Sequence, residues 1–140
     1  MYRNILVPLD GSIRSEVVLP YVEDLAQHYE TTVILLRVVD LAAPIGAVEK
    51  AYANLRQEEM ERHTRDAQAY LSVQQGILRS KGVQAETAVA YGRVLDAILK
   101  TTHRVRADIV VLSSHGRRVA SGLLQRATCP LLIIPAGEQV

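Results

Sequence analysis

Apolar positions along this chain follow two alternating rhythms. Short continuous runs are separated by stretches in which apolar residues recur every three or four positions. The run Ile5-Leu6-Val7-Pro8-Leu9 stops at Asp10-Gly11-Ser12, and the run Ile109-Val110-Val111-Leu112 stops at Ser113-Ser114-His115-Gly116-Arg117. An unbroken apolar run ending in small polar residues is the pattern of a parallel strand buried on both faces. Strands are expected near 3–9, 32–39, 84–90, 108–113 and 131–135, and helices near 14–29, 49–81, 93–104 and 119–127. This alternation predicts an α/β domain with crossover helices. Right-handed crossovers then give an open parallel five-stranded sheet, order 3-2-1-4-5, with helices on both faces and residues 1–140 in one domain.

Individual residues sharpen the helices. Val18, Val22, Leu25 and Tyr29 make one stripe of the first, with Ser12 as a candidate N-cap and Pro20 expected to bend it. A loop from Leu41 to Ala47 precedes the second helix. Its middle, residues 56–66, is almost wholly charged and reads as a solvated face, with Glu58–Arg62 and Glu61–Arg65 as i,i+4 pairs. Gly76 is expected to loosen that helix and Gly82 to end it. Leu95, Ile98, Leu99 and Thr102 share one face of the third helix. Cys129-Pro130 then leads into the last strand, and a proline there suits an edge position.

Composition narrows the function classes. With 49% apolar residues in 140, the chain can bury its own core. Sixteen basic residues against fifteen acidic ones leave a net charge of +1 with no basic tract, so a nucleic-acid partner is not expected. Phe and Trp are absent, which removes the usual base-stacking platforms. No apolar run approaches membrane-spanning length, so no membrane association is expected. Met1-Tyr2-Arg3-Asn4 enters the first strand directly, so no signal peptide and a cytoplasmic location are expected. A single cysteine allows neither an internal disulfide nor a CxxC metal pair.

In an open α/β sheet, ligands bind beyond the carboxyl ends of the strands, where the strand order reverses. The loops Asp10-Gly11-Ser12 and Ser114-His115-Gly116-Arg117 are therefore expected to share a site. Ser114 beside His115 invites a nucleophile–base reading with Asp10 as orienting acid, but adjacent side chains tend to point apart. Asp10 and Asp40 are a candidate pair for a magnesium ion.

The opening strand with Asp10-Gly11-Ser12, the Ser114-His115-Gly116-Arg117 tetrad and the closing Ala127-Thr128-Cys129-Pro130-Leu131-Leu132-Ile133-Ile134 resemble the universal stress protein family. Gly82-Val83 and Gly92 fall where that family has them, and the resemblance spans about the whole chain. It implies a Rossmann-like fold, a stress-response binding module and ATP or another adenine nucleotide as ligand. It also implies a homodimer formed through the last strand, Leu131 to Ile134. Residue by residue, it places Pro8, Asp10, Val39, Ser114, His115, Gly116, Arg117, Val119 and Ala120 at the nucleotide. Of these, Val119 and Ala120 would offer helix amides. Ser113 stands where many relatives have glycine. The alternatives are a stress protein that acts only by contact with another protein, or a slow ATP hydrolase.

The family's phosphate loop, G-x-x-G-x9-G-[S/T], starts at Gly116 and then departs: Val119 takes the second glycine position and Cys129 the third. About ten residues of the pattern are lacking between Arg117 and Val119. Either the chain is a short-loop member that cannot cradle a triphosphate, or two stretches are joined here across a loop left out. Glycines and a helix N-terminus hold phosphate in such loops through backbone amides.

Overall fold

Each apolar run becomes a strand because its residues are wanted on both faces of one sheet. The computed structural model describes residues 2–28, 30–40 and 50–137. The strands are β1 (Asn4–Pro8), β2 (Thr32–Val39), β3 (Gln84–Tyr91), β4 (Ile109–Ser113) and β5 (Leu131–Ile134). All pairings are parallel and the order is β3-β2-β1-β4-β5, as the crossover rule requires. The helices are α1 (Leu19–His28), α2 (Lys50–Ser80), α3 (Val94–Arg104) and α4 (Arg117–Arg126).

Side chains alternate across the pleat, so each strand feeds two cores. Ile5, Val7, Val33, Leu35 and Val111 point into the layer of α1 and α2, against Val22, Leu71 and Leu78. Leu6, Ile34, Leu36, Val110 and Leu112 point the other way, against Ile98, Ala120 and Leu123 of α3 and α4. Gly122 lets α4 approach α3 closely, because a β-carbon there would collide with the Leu95 side chain.

Local details differ from the sequence reading in instructive ways. Residues Ser15–Val18 form a tight 3-10 turn before α1, so Pro20 falls in the first turn of α1 rather than bending its middle. A proline fits there because the first turn's amides have no intrahelical acceptor. Ser12 acts one turn ahead of α1: its Oγ accepts the Ser15 N–H at 3.1 Å. Gly76 lies inside an unbroken α2, and Gly82, at φ +83°, follows its end. Neither Glu58–Arg62 nor Glu61–Arg65 closes to within 4.0 Å among the described residues, whereas His63 and Glu59 approach to 3.9 Å. Exposed pairs of this kind gain little over hydration. The 41–47 loop and Tyr29 lie outside the described residues.

The two central strands are joined unevenly. β1 matches β2 over five residues, but it meets β4 only through Ile5↔Ile109 and Leu6↔Val110. That junction is fastened at its amino end. Asp108 Oδ2 accepts the Arg3 N–H at 2.7 Å and the Asn4 N–H at 2.9 Å, and the Asp108 N–H returns a bond to the Asn4 carbonyl. Asn4 Nδ2 also donates to the Val105 carbonyl at 2.9 Å. Replacing Asp108 by Ala should therefore lower unfolding free energy by about 2 kcal/mol, the scale of a charge-assisted hydrogen bond. Urea denaturation of both chains measures this, and an unchanged midpoint would show that the fastening is dispensable.

Candidate functional site

Beyond Leu6 and Val110 the central strands part, and a cleft of ≈ 140 Å³ opens between their carboxyl ends. One wall is the loop after β1. Gly11 takes φ +89°, which turns the chain sharply, and Asp10 Oδ1 accepts the Ser12 N–H at 2.8 Å. Ser15 Oγ accepts the Asp10 N–H at 3.4 Å and donates to the Ser12 carbonyl at 2.8 Å. The other wall is the turn from β4 to α4, only Ser114 to Gly116 in length. Ser113 ties the two walls together, since its hydroxyl donates to the Arg14 carbonyl at 2.9 Å and accepts the His115 N–H at 3.0 Å. Across the mouth, His115 Nε2 stands 3.5 Å from Asp10 Oδ2.

Pro8, Asp10, His115, Gly116 and Val119 line the cleft together. The other expected residues are placed elsewhere. Val39 is buried on the far face of β2, its carbonyl accepting the Gly92 N–H, and Val38 takes the place in the cleft. Ser114 Oγ accepts the Ala136 N–H at 2.9 Å, on the side of β5's exit. The Ser114 hydroxyl and the His115 imidazole thus engage different partners, one at Ala136 and one at Asp10. Arg117 is exposed at the first position of α4. The Ala120 amide donates to the Gly116 carbonyl at 3.0 Å, so the helix itself uses it. The amides of Arg117, Arg118 and Val119 precede the first intrahelical bond and face no helical acceptor.

Of the lining residues that the sequence reading did not place at the site, Val38 and Arg37 are the most informative. Val38 follows from strand alternation, because it shares the α3/α4 face with Leu36. Arg37 carries no such signal. It lines the cleft, its guanidinium carbon lies 6.0 Å from the Tyr70 ring centroid, and its Nε is buried with no hydrogen-bond partner among the described residues. Asp40 is exposed and does not line the cleft, leaving Asp10 as its one carboxylate among the described residues. No cluster of three or more His, Cys, Asp or Glu suited to a metal ion occurs among the described residues.

Electrostatics keep Asp10 ionised. Burial alone would raise its carboxyl, but hydrogen bonds from Ser12 and Ser15 and the nearby His115 outweigh this and hold it below the ordinary 3.8. Behind the loop, Tyr70 donates a 2.6 Å hydrogen bond to Glu16 Oε2. Burial, then the Glu16 hydrogen bond and charge, push the Tyr70 phenol above its usual 10.0.

Comparison with known proteins gives a consistent answer. A sequence model described as the Universal stress protein family matches residues 1–135. A universal stress protein of Synechocystis sp. is 28% identical, over 96% of this chain and 87% of the relative. A universal stress protein structure in complex with cAMP superposes with a TM-score of 0.72 at 18% identity, covering 97% of this chain and 98% of that one. A universal stress protein family protein from Arabidopsis thaliana with AMP bound gives 0.66 at 20% identity, covering 95% and 91%. No helix among the described residues is long and apolar enough to cross a membrane.

The Asp10 shift sets a pH signature. A carboxyl held below its unfolded value contributes stability above pH 3.8, and that contribution is lost as pH falls through the folded pKa. Asp10→Asn should therefore be less stable than wild type at pH 7, with the gap narrowing by pH 3. Urea titrations at both pH values measure it; a gap that stays constant would contradict the assignment.

Proposed function

The chain belongs to the universal stress protein family, and from that premise we propose that it is a stress-response module binding an adenine nucleotide in the cleft between β1 and β4. The observation that carries this reading is the cleft itself, which opens at the switch point of the sheet. Its apolar floor, Leu36, Val38, Ile98 and Leu112, suits a flat base. Asp10 is placed to accept from ribose hydroxyls, and the free amides of α4's first turn are placed for one phosphate. Asp10 is also the carboxylate available to a magnesium ion carried in on the ligand's phosphates. The proposal includes a cytoplasmic place of work.

Size and donor count favour a monophosphate over ATP. A cleft of ≈ 140 Å³ is well below the roughly 300–1,000 Å³ of sites that enclose a whole small molecule, so ribose and phosphate would lie along the turn. The Ser114 amide is bound to the Ile134 carbonyl, His115's to Ser113 and Ala120's to Gly116, leaving no further cradle for a second and third phosphate in that turn. Calorimetry should detect AMP binding, with ATP no tighter than AMP and Asp10→Ala weakening AMP by about tenfold. ATP binding at least tenfold tighter than AMP would contradict this account. Absence of any nucleotide binding would favour a module that works by protein contact alone.

A homodimer through β5 completes the proposal. The two sheet edges are treated differently. On the β3 edge, Gln75 Nε2 and Arg79 Nε both donate to the Ala85 carbonyl, at 2.9 and 3.2 Å, and exposed Gln84 and Glu86 flank it. On the β5 edge, Leu131, Leu132 and Ile133 are half-buried with no such blocking among the described residues. An unblocked apolar edge favours pairing about a two-fold axis. Light scattering should find a dimer for wild type and a folded monomer for Ile133→Lys, with folding checked by circular dichroism. A monomeric wild type would sink the idea.

A further inference from the structure

Arg37 is the one lysine or arginine among the described residues that line the cleft. Its surroundings leave it without a counter-charge. No carboxylate of the described residues comes within 4.0 Å of it. Glu16 is engaged by the Tyr70 hydroxyl, and Asp10 is engaged by Ser12 and His115. The guanidinium is nevertheless held in place. It lies 6.0 Å from the Tyr70 centroid, and its carbon would sit 3.9 Å from a β-carbon built on Gly11. It therefore packs against the bare backbone of the loop that carries Asp10. Its Nε is buried with no acceptor among the described residues, a costly arrangement for a charged donor.

We propose that Arg37 determines the ligand's charge: it selects an anionic, phosphorylated ligand over the neutral nucleoside by supplying the one permanent positive charge that the described residues bring to the cleft. A planar guanidinium fork matches a phosphate's oxygens in pairs, and such bonds are stronger than neutral ones. The alternative role is structural, with Arg37 merely stacking on Tyr70. That role would affect stability and both ligands alike.

This inference rests on the adenine-nucleotide reading of the cleft, and the test separates the two. Calorimetry of the full chain with AMP and with adenosine, at one ionic strength, gives an AMP preference for wild type, Arg37→Gln and Arg37→Lys. Wild type should prefer AMP by about tenfold or more. Arg37→Gln should bring the ratio close to one while adenosine affinity holds. Arg37→Lys should keep part of the preference, because the charge remains and the fork is lost. Should Arg37→Gln fail to fold, the reduced ratio in Arg37→Lys carries the test. An unchanged ratio in the folded variants, or equal losses for both ligands, overturns the role of Arg37 while leaving the nucleotide reading intact. A wild type that binds neither ligand overturns both.

Discussion

The uneven junction of β1 and β4 is the constraint on which the rest depends. Asp108 and Asn4 lock the two strands at their amino ends, and the strands then diverge after two matched pairs. Chain crossovers leave this junction in opposite directions, so no connection covers the gap above it. Everything at the cleft follows from that gap. The loop after β1 and the turn after β4 rise on either side, and Ser113 cross-links them through Arg14. The aliphatic cores on both faces hold the strands rigid beneath.

Polar groups around the gap are divided by how well they are paired. Asp10 is oriented by Ser12 and His115 and its backbone is tied to Ser15, while its half-exposed carboxylate keeps acceptor capacity for a ligand. Glu16 and Tyr70 satisfy each other on the α2 side. Arg37 is left over. In a protein of net charge +1, a half-buried guanidinium that meets no carboxylate among the described residues is a local bias beside the cleft rather than a product of overall charge. The short β4–α4 turn limits what this bias can hold, since most of its amides already have acceptors.

Much of the fold was legible because its causes are local. Runs such as Ile109-Val110-Val111-Leu112 have no polar face, so only a doubly covered strand accommodates them. Strand alternation with helices then left few topologies. That Asp10, His115 and Gly116 would come together at one cleft was legible where strands end in turn-forming residues. The end of a strand does not reveal which face each residue takes, so it was alternation from Leu36 that put the Val38 side chain, rather than that of Val39, in the cleft. The start of α4 was placed late because Gly116 caps it without a side-chain signal. Arg37 could not be read at all, since an arginine in a strand looks solvent-facing until Gly11 and Tyr70 are brought to it by tertiary structure.

The central claim is that the gap between β1 and β4 is where this stress protein meets its ligand. Amide chemical-shift mapping of isotope-labelled protein during an AMP titration tests it most directly, because every backbone N–H reports its own position. The account predicts saturable shifts concentrated on Leu9 to Ser12, Arg37 and Val38, and Ser114 to Val119, with α2's exposed face unchanged. Saturable shifts clustered on another surface, or none at millimolar AMP, would contradict it.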